Sequence, residues 1–211
     1  MKNSAKRIAE YLLQIKAIKL QPSNPFTWAS GLKSPIYCDN RKTLSFPLVR
    51  SYIRDSFALL VRELYPEAEL IAGVATGAIA HGILVADKLG LPFIYVRSGA
   101  KEHGLGNQIE GYYEQGQKVV VVEDLISTGG SSLGVVKVLR DAGCDVMGMV
   151  AIFTYEFKKA SDGFTAENCA LHTLSNYSVL VETAVNTGYI GQSEVEILKK
   201  WRVDPSVWGT K

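Results

Sequence analysis

The side chains best suited to chemistry stand in one run, residues 119–132. In this run two adjacent acids, Glu123 and Asp124, follow four consecutive valines. Two carboxylates at the end of a strand can accept hydrogen bonds from the vicinal hydroxyls of a sugar, and they can hold Mg²⁺ directly or through water. A run of serine, threonine and glycine comes next and opens a predicted helix, where hydroxyls and backbone N–H groups can surround a phosphate. Residues 119–132 therefore predict a site for a phosphorylated ribose.

The simplest alternative is an ordinary strand–loop–helix turn whose helix is capped by a serine or threonine. That alternative explains Thr128 or Ser131 taken alone, but it does not explain two acids beside a loop of six Ser, Thr and Gly residues. The sequence also lacks the GxxxxGK[ST] pattern of a P-loop, and no GxGxxG follows a predicted strand. We therefore favour the sugar-phosphate site.

A second polar segment contains the donors Arg97, Lys101 and His103, separated by glycines. Positive donors of this kind bind phosphate groups through charge-assisted hydrogen bonds. The glycines would let the segment open and close over a ligand. Such a composition is often only a solvated turn, but its place after a strand of the predicted sheet favours a catalytic loop.

Strands and helices alternate through the middle of the chain, which predicts an α/β fold with a central parallel sheet flanked by helices. The valines at 119–122 are too continuously apolar for a half-exposed strand. The predicted strands are residues 70–75, 93–96, 118–122 and 147–153, and the predicted helices are residues 45–64, 78–89 and 130–142. Ligands of such sheets bind beyond the carboxyl ends of the strands. The functional residues should therefore follow the strand ends at Ala75, Val96, Val122 and Phe153.

The first 44 residues differ in character from the rest. Ile8, Leu12 and Leu13 recur at helical spacing after a charged start, which predicts an amphipathic helix and no signal peptide. Residues 21–41 are rich in proline, serine and aromatic side chains and predict turns and short strands. We divide the chain into an N-terminal segment, residues 1–44, and an α/β core, residues 45–211, within one compact domain.

Composition excludes several classes of protein. A chain of 211 residues fits one domain and can bury a core without a disulfide or a metal. The formal charge of +2 predicts no nucleic-acid partner, and no apolar run approaches the roughly 20 residues of a membrane span. Three well-separated cysteines, Cys38, Cys144 and Cys169, are expected as reduced thiols. These features predict a cytoplasmic protein without a membrane or nucleic-acid partner.

Residues 119–132 resemble the signature of the type I phosphoribosyltransferases, in which two acids and a Thr/Ser-Gly loop follow a hydrophobic strand. Enzymes of this family bind 5-phosphoribosyl pyrophosphate (PRPP) there. The resemblance implies that Glu123 and Asp124 bind the ribose hydroxyls, and that Mg²⁺ is bound through PRPP and held by these acids through water. It implies further PRPP contacts from Leu125, Ile126, Ser127, Thr128, Gly129, Gly130 and Ser131.

Residues 26–41 resemble the SGxxSPxY motif near the N-terminus of the orotate phosphoribosyltransferases. The matching residues are Ser30, Gly31, Ser34, Pro35 and Tyr37. In that family the region forms a hood over the base, so residues 1–44 would comprise the N-terminal helix and a small hood. Taken without the other matches, these residues are equally well explained as a structural turn.

Two further segments resemble the same family. Residues 95–107 resemble its mobile catalytic loop, which implies that Arg97, Lys101 and His103 bind PRPP and act in catalysis together with Asp124. Residues 73–81 resemble its pyrophosphate loop. His81 lies inside the helix that follows, and we interpret it as a packed histidine rather than a catalytic one.

The resemblance implies transfer of the 5-phosphoribosyl group to orotate with release of pyrophosphate, in a homodimer whose catalytic loops reach the neighbouring sites. Some relatives bind the orotate carboxylate with an arginine beyond the last core strand, but residues 151–157 contain none. Ser127, backbone amides or Lys33 would take that role. Three alternatives stay open: a relative that uses a purine or uracil, a PRPP-binding regulator without activity, and a plain nucleotide-binding module.

Overall fold

The computed structural model describes residues 2–27, 31–97, 108–205 and 208. The N-terminal elements are helix α1 (Lys2–Gln14), strands β1 (Ile18–Leu20), β2 (Phe26–Thr27), β3 (Lys33–Ser34) and β4 (Ile36–Cys38), and a 3₁₀ helix (Asn40–Ser45). The later elements, in chain order, are α2 (Pro47–Leu64), β5 (Leu70–Val74), α3 (Ile79–Leu89), β6 (Phe93–Val96), β7 (Ile109–Glu110), β8 (Lys118–Ile126), α4 (Gly130–Asp141), β9 (Asp145–Thr154), α5 (Lys158–Ala166), β10 (Leu171–Asn176), α6 (Tyr177–Asn186), a short 3₁₀ helix (Gln192–Glu194) and α7 (Val195–Val203).

Six strands form the central sheet in the order β10-β9-β8-β5-β6-β7. The neighbours from β10 to β6 pair in parallel, and β7 joins the edge antiparallel to β6. Helices α1, α2, α3, α4 and α6 pack against strands of this sheet. The predicted α/β class with a central, mostly parallel sheet flanked by helices is confirmed.

Strand β8 lies inside the sheet because its first half is uniformly apolar. The four valines at 119–122 are fully buried. A strand covered on both faces buries both sets of its alternating side chains, so this run suits a central position. On the neighbouring strand β5, helix α3 approaches closely through two glycines: an added Cβ at Gly82 would lie 3.2 Å from the Cα of Gly73. This packing brings the start of α3 to the carboxyl ends of β5 and β8.

Three predicted boundaries are wrong, and neighbouring elements explain the differences. Strand β8 continues past Val122 to Ile126, because β9 runs beside it and pairs with it up to the last register pair, Ile126 with Thr154. The two acids therefore lie in a strand and not in a loop. Strand β9 begins at Asp145, earlier than predicted. Helix α2 begins only at Pro47, whose ring suits the first turn of a helix.

The N-terminal helix packs against α6 and β10. Ile8 and Leu12 are fully buried, as their helical spacing predicts. Ser175 in β10 donates a hydrogen bond to the backbone oxygen of Ala5 at 2.9 Å. Strands β1 and β4 pair antiparallel, as do β2 and β3, in agreement with the predicted turns and short strands. From β4 the chain enters the first 3₁₀ helix, which carries it to the end of β8.

The elements after β9 had no prediction from the sequence. Strand β10 is half polar because it forms the edge of the sheet, so its side chains do not show the continuous apolar pattern of β8. Cys38, Cys144 and Cys169 are free thiols, as expected. Within the described ranges, the helices are all too short or too polar to cross a membrane.

Candidate active site

Asp124 lies in the second half of β8, beyond the point where β5 ends. The pairing of β5 with β8 reaches only Gly73 with Val122. Beside Asp124 the loop before α3 takes the place of a strand: an added Cβ at Gly77 would come within 2.5 Å of Asp124 Oδ2. Only a residue without a side chain fits so close to this carboxylate. Gly77 therefore brings the predicted pyrophosphate loop into contact with a predicted ribose-binding acid.

Glu123 has a different environment, because successive residues of a strand face opposite sides. It is only 5% exposed. Its Oε2 accepts a hydrogen bond from Ser132 Oγ at 2.8 Å, and its Oε1 accepts one from the backbone N–H of Asp124 at 2.9 Å. Ser132 is itself buried in α4. Glu123 therefore connects the end of β8 to the helix that follows the predicted phosphate loop.

The electrostatics of the two acids follow from their burial. Burial, and after it the charge of Asp124, raises the pKa of Glu123 to about 8. Burial also raises the pKa of Asp124. Two adjacent carboxyl groups shielded from water resist carrying two negative charges. A ligand that brings hydroxyl donors or a divalent cation to this edge would favour the fully ionised pair.

Residues 127–131 turn from β8 into α4. Gly129 adopts a φ of +83° just before the helix, and an added Cβ there would lie 3.2 Å from an aromatic ring of α5. Among the described residues no side chain caps α4. Thr128, Gly130 and Ser131 are exposed. The first amides of α4 can therefore receive an anion, as the sequence predicts.

The other predicted PRPP contacts of this region have different surroundings. Leu125 and Ile126 belong to β8 and pair with β9. The side chain of Ile126 is fully buried, so it can meet a ligand only through its backbone. Ser127 is partly exposed where the strand ends.

Arg97 follows β6 at the same edge of the sheet. Its Nη2 lies 3.3 Å from Glu110 Oε1 on β7, in an ion pair. Its backbone N–H donates to the carbonyl oxygen of Gln108 at 2.9 Å. Arg97 directly follows β6 and Gln108 directly precedes β7, and these two strands pair with each other. Lys101 and His103, the other predicted loop donors, lie outside the described residues.

The hood motif is a compact turn where it is described. Ser34 is fully buried, and its hydroxyl donates to the backbone oxygen of Ile36 at 2.8 Å and accepts from the Ile36 N–H at 3.2 Å. Gly31 adopts a φ of +84°, which suits glycine. Ser30 lies outside the described residues.

Two hood side chains are exposed. Tyr37 is 40% exposed, and its ring centroid lies 5.8 Å from that of Phe26. Lys33 donates from Nζ to Thr27 Oγ1 at 2.8 Å across the β2–β3 pair. The predicted contact of Lys33 with orotate therefore stays a prediction.

Sequence reasoning missed two buried polar residues beside the acids. Asn40 Nδ2 donates to the backbone oxygen of Asp124 at 2.6 Å, and Thr43 Oγ1 lies 3.0 Å from His81 Nε2. Asn40 falls inside the hood segment, but nothing in the sequence indicates that it reaches β8. His81 is buried, as we interpreted it, and burial lowers its pKa to about 4.

The segment after β9, where no arginine occurs, is held by the C-terminal part of the chain. Glu156 Oε2 accepts hydrogen bonds from Ser178 Oγ at 2.6 Å and from the Ser178 backbone N–H at 2.8 Å. Arg202 Nη1 in α7 lies 3.1 Å from the same oxygen. Tyr155, the preceding residue, is buried, and its N–H donates to the backbone oxygen of Ile126 at 3.1 Å.

Comparisons with known proteins identify the family of this chain. The family model of the phosphoribosyl transferase domain matches residues 53–188. A Porphyromonas gingivalis protein named orotate phosphoribosyltransferase is 56% identical over 99% of this chain and 100% of its own length. A protein of the same name from Bacteroides fragilis is 57% identical over 100% of this chain and 99% of its own. The crystal structure of orotate phosphoribosyltransferase from Aeropyrum pernix is 27% identical, with a TM-score of 0.76, over 87% of this chain and 99% of that one.

A parallel sheet with an acid pair and an anion-binding helix start at its carboxyl edge, together with the match over residues 53–188, defines the class: this chain belongs to the phosphoribosyltransferase family. Within that family it is a member of the orotate phosphoribosyltransferases, since its relatives of that name match it from end to end at 56% and 57% identity. The prediction of an enzyme that transfers a pentosyl group is thereby confirmed.

Proposed function

We propose that this protein transfers the 5-phosphoribosyl group of PRPP to N1 of orotate, giving orotidine 5′-phosphate and pyrophosphate. The observation that carries the proposal is the position of Asp124. Its backbone is bound by Asn40 of the hood, its carboxylate contacts Gly77, and the predicted phosphate loop follows within the same βα unit. Sugar, base and pyrophosphate sites would thus meet at one strand end.

We propose separate tasks for the two acids. Asp124, which faces the loop before α3, would accept hydrogen bonds from the ribose hydroxyls. Glu123, bound by Ser132, would bind the ribose less directly and hold the end of β8 in place. Residues 127–131 would bind the 5-phosphate through their amides and hydroxyls, at the positive end of α4.

The leaving pyrophosphate would be bound by Lys101, His103 and Arg97. Arg97 pairs with Glu110, so it would exchange this carboxylate for pyrophosphate oxygens when it binds PRPP. The C1–O bond would be largely broken before the nitrogen attacks, and no covalent enzyme nucleophile is needed. Catalysis would come from positioning and from stabilisation of the charge that develops on pyrophosphate.

Magnesium fits this site as a partner of the substrate. The described residues include no group of three or more His, Cys, Asp or Glu side chains that could hold a metal ion by themselves. Mg²⁺ is commonly held by one or two carboxylates together with substrate phosphates, and Asp124 and Glu123 offer carboxylate oxygens here. When bound, the ion would supply positive charge to PRPP, with these acids holding it through water.

The orotate carboxylate would be bound by Ser127, by backbone amides at the end of β8, or by Lys33 of the hood.

We also propose a homodimer with shared active sites and a cytoplasmic location. Three free cysteines support the reducing compartment.

The proposal is tested by following the absorbance of orotate after addition of PRPP and Mg²⁺. We expect orotate to be consumed, and uracil, hypoxanthine and adenine to react at least about 100-fold more slowly, because their edges lack the carboxylate. Equal or faster turnover of another base would contradict the assignment of the base. Binding of PRPP without turnover of any base would indicate a regulator instead.

A further inference from the structure

A chain of buried hydrogen bonds joins Asp124 to helix α3. Asn40 Nδ2 donates to the backbone oxygen of Asp124 at 2.6 Å. Thr43 Oγ1 donates to the backbone oxygen of Asn40 at 2.5 Å and lies 3.0 Å from His81 Nε2. Asn40, Thr43 and His81 are each at most 1% exposed. We call these three residues the buried relay. It runs from β8 through the first 3₁₀ helix, at the end of the hood segment, to α3, which follows the predicted pyrophosphate loop.

The chemistry of the relay sets the direction of each bond. A hydroxyl carries one hydrogen, and that of Thr43 is used toward Asn40. The His81 tautomer that fits this arrangement carries its proton on Nε2 and donates to Thr43 Oγ1. Asn40 Oδ1 accepts from Cys38 Sγ at 3.4 Å, which orients its amide so that Nδ2 faces Asp124.

The relay acts where the sheet leaves a gap. Strand β5 pairs with β8 only as far as Val122, so within the described part of the chain no strand pairs with Asp124 on that side. Asn40 supplies the donor that the carbonyl oxygen of Asp124 requires. On the same side, Gly77 touches the Asp124 carboxylate, and His81 lies in the first turn of α3, four residues after Gly77. The relay thus fixes both sides of the contact between Asp124 and the loop.

We propose that Asn40, Thr43 and His81 are positioning residues for the transfer of the phosphoribosyl group, because together they set the position of Asp124 relative to the loop at Gly77. This inference rests on the function proposed above and assigns the hood a task beyond covering the base. Loss of one bond would let the strand end and the loop move apart. A misplacement of about 1 Å at reacting groups costs on the order of 100-fold in rate.

The test compares two substitutions of Thr43, one that removes its buried hydroxyl and one that keeps it. Thr43→Val removes the hydroxyl at nearly constant volume, and Thr43→Ser keeps it. For Thr43→Val we expect kcat/KM for PRPP to fall at least about tenfold, with a weaker calorimetric Kd for PRPP and a smaller change in KM for orotate. Thr43→Ser should stay within about threefold of the wild type, because its hydroxyl can still link Asn40 and His81.

A stability control separates positioning from folding. Val61 is buried near the C-terminal end of α2, where it lines a cavity with Tyr65 and Leu89. Val61→Ala should lower Tm comparably while keeping the wild-type kinetic constants below Tm. His81→Gln, which keeps an N–H donor near the Nε2 position, should retain more activity than His81→Leu.

The proposal is overturned if Thr43→Val keeps the wild-type kcat/KM for PRPP. It is also overturned if Thr43→Ser loses as much as Thr43→Val, or if Val61→Ala produces the same kinetic loss. A wild-type protein that does not turn over orotate would refute the proposed function alone. The PRPP Kd of the same variants would then still decide whether the relay positions the site.

Discussion

Adjacent residues of one strand have distinct environments at this site. Asp124 faces the loop before α3, whereas Glu123 is buried and bonded to Ser132. The sequence shows only two adjacent acids and does not indicate this difference, which follows from the alternation of side chains along β8. At the scale of single residues, the strand therefore combines an acid that faces the loop before α3 with a buried acid that is hydrogen-bonded to α4.

Lys101 gives the first prediction at this scale. Lys101→Ala should lower kcat by about 100-fold or more, because it removes the positive charge that we propose stabilises the leaving pyrophosphate in the transition state. Steady-state rates with orotate and PRPP measure the effect. Lys199→Ala, which removes an exposed lysine of α7, is the matched control and should leave the rates unchanged. Unchanged turnover in Lys101→Ala would refute the catalytic loop.

His81 gives a prediction on pH and stability. Burial, assisted by the charge of Arg50 and opposed by a hydrogen bond with the Asn40 backbone, lowers its pKa to about 4 in the folded state, against about 6.5 in an unfolded chain. At pH values between these two pKa values, His81 binds a proton in the unfolded state but not in the folded state. The free energy of unfolding should therefore fall as pH falls from about 6.5 to 4, by up to about 3 kcal/mol from this residue.

Urea unfolding of the wild type and of His81→Gln across pH 4 to 7 checks this prediction. Carboxyl groups titrate in the same range, so the difference between the two proteins carries the histidine contribution. As pH falls from 7 to 4, the free energy of unfolding of the wild type should fall more than that of His81→Gln. Parallel pH profiles of the two proteins would show that His81 is not responsible.

At the scale of elements, helix α7 supports the segment that follows β9. Trp201 is fully buried, and its ring centroid lies 5.6 Å from that of Tyr155 and 5.4 Å from that of Phe157. Arg202 pairs with Glu156 between these two aromatic residues. Because Tyr155 is hydrogen-bonded to the end of β8, the C-terminal helix contributes to the shape of the site from a distance.

This arrangement predicts unequal effects of two tryptophan substitutions. Trp201→Ala should lower the free energy of unfolding by about 3–5 kcal/mol, because it leaves a cavity among the rings of Tyr155, Phe157 and Tyr177. Trp208→Ala should cost clearly less, since Trp208 is only partly buried. Denaturant unfolding measures both values. An equal or larger loss in Trp208→Ala would contradict the supporting role assigned to α7.

At the scale of the whole molecule, the proposed homodimer makes a prediction about shared sites. Lys101→Ala and Asp124→Asn are each expected to be inactive. If the loop of one subunit completes the site of its neighbour, heterodimers of these two variants regain one intact site. Co-expression with two affinity tags and tandem purification isolates the heterodimer for assay. Confirmed heterodimers without activity would show that each subunit uses its own loop.

Much of the fold follows from local pattern. The valine run specifies a buried central strand, and the helical spacing of Ile8 and Leu12 specifies the N-terminal helix. The end of β8 could not be predicted in this way. Its extension to Ile126 depends on hydrogen bonds to β9, which comes later in the chain. The residues next to Glu123 in the sequence do not indicate that these bonds form.

The sequence by itself determined the class of chemistry. Two acids followed directly by a Ser/Thr/Gly run are suited to bind a ribose phosphate, and all of these residues are neighbours in the sequence. It also indicated the hood and the cationic loop as separate segments. Only the tertiary structure decided which groups meet. Asn40 lies far from Asp124 along the chain, and their contact at 2.6 Å exists because β5 ends early and the hood fills the gap. Periodicity and composition report on neighbours in sequence, whereas such a contact depends on how whole elements pack.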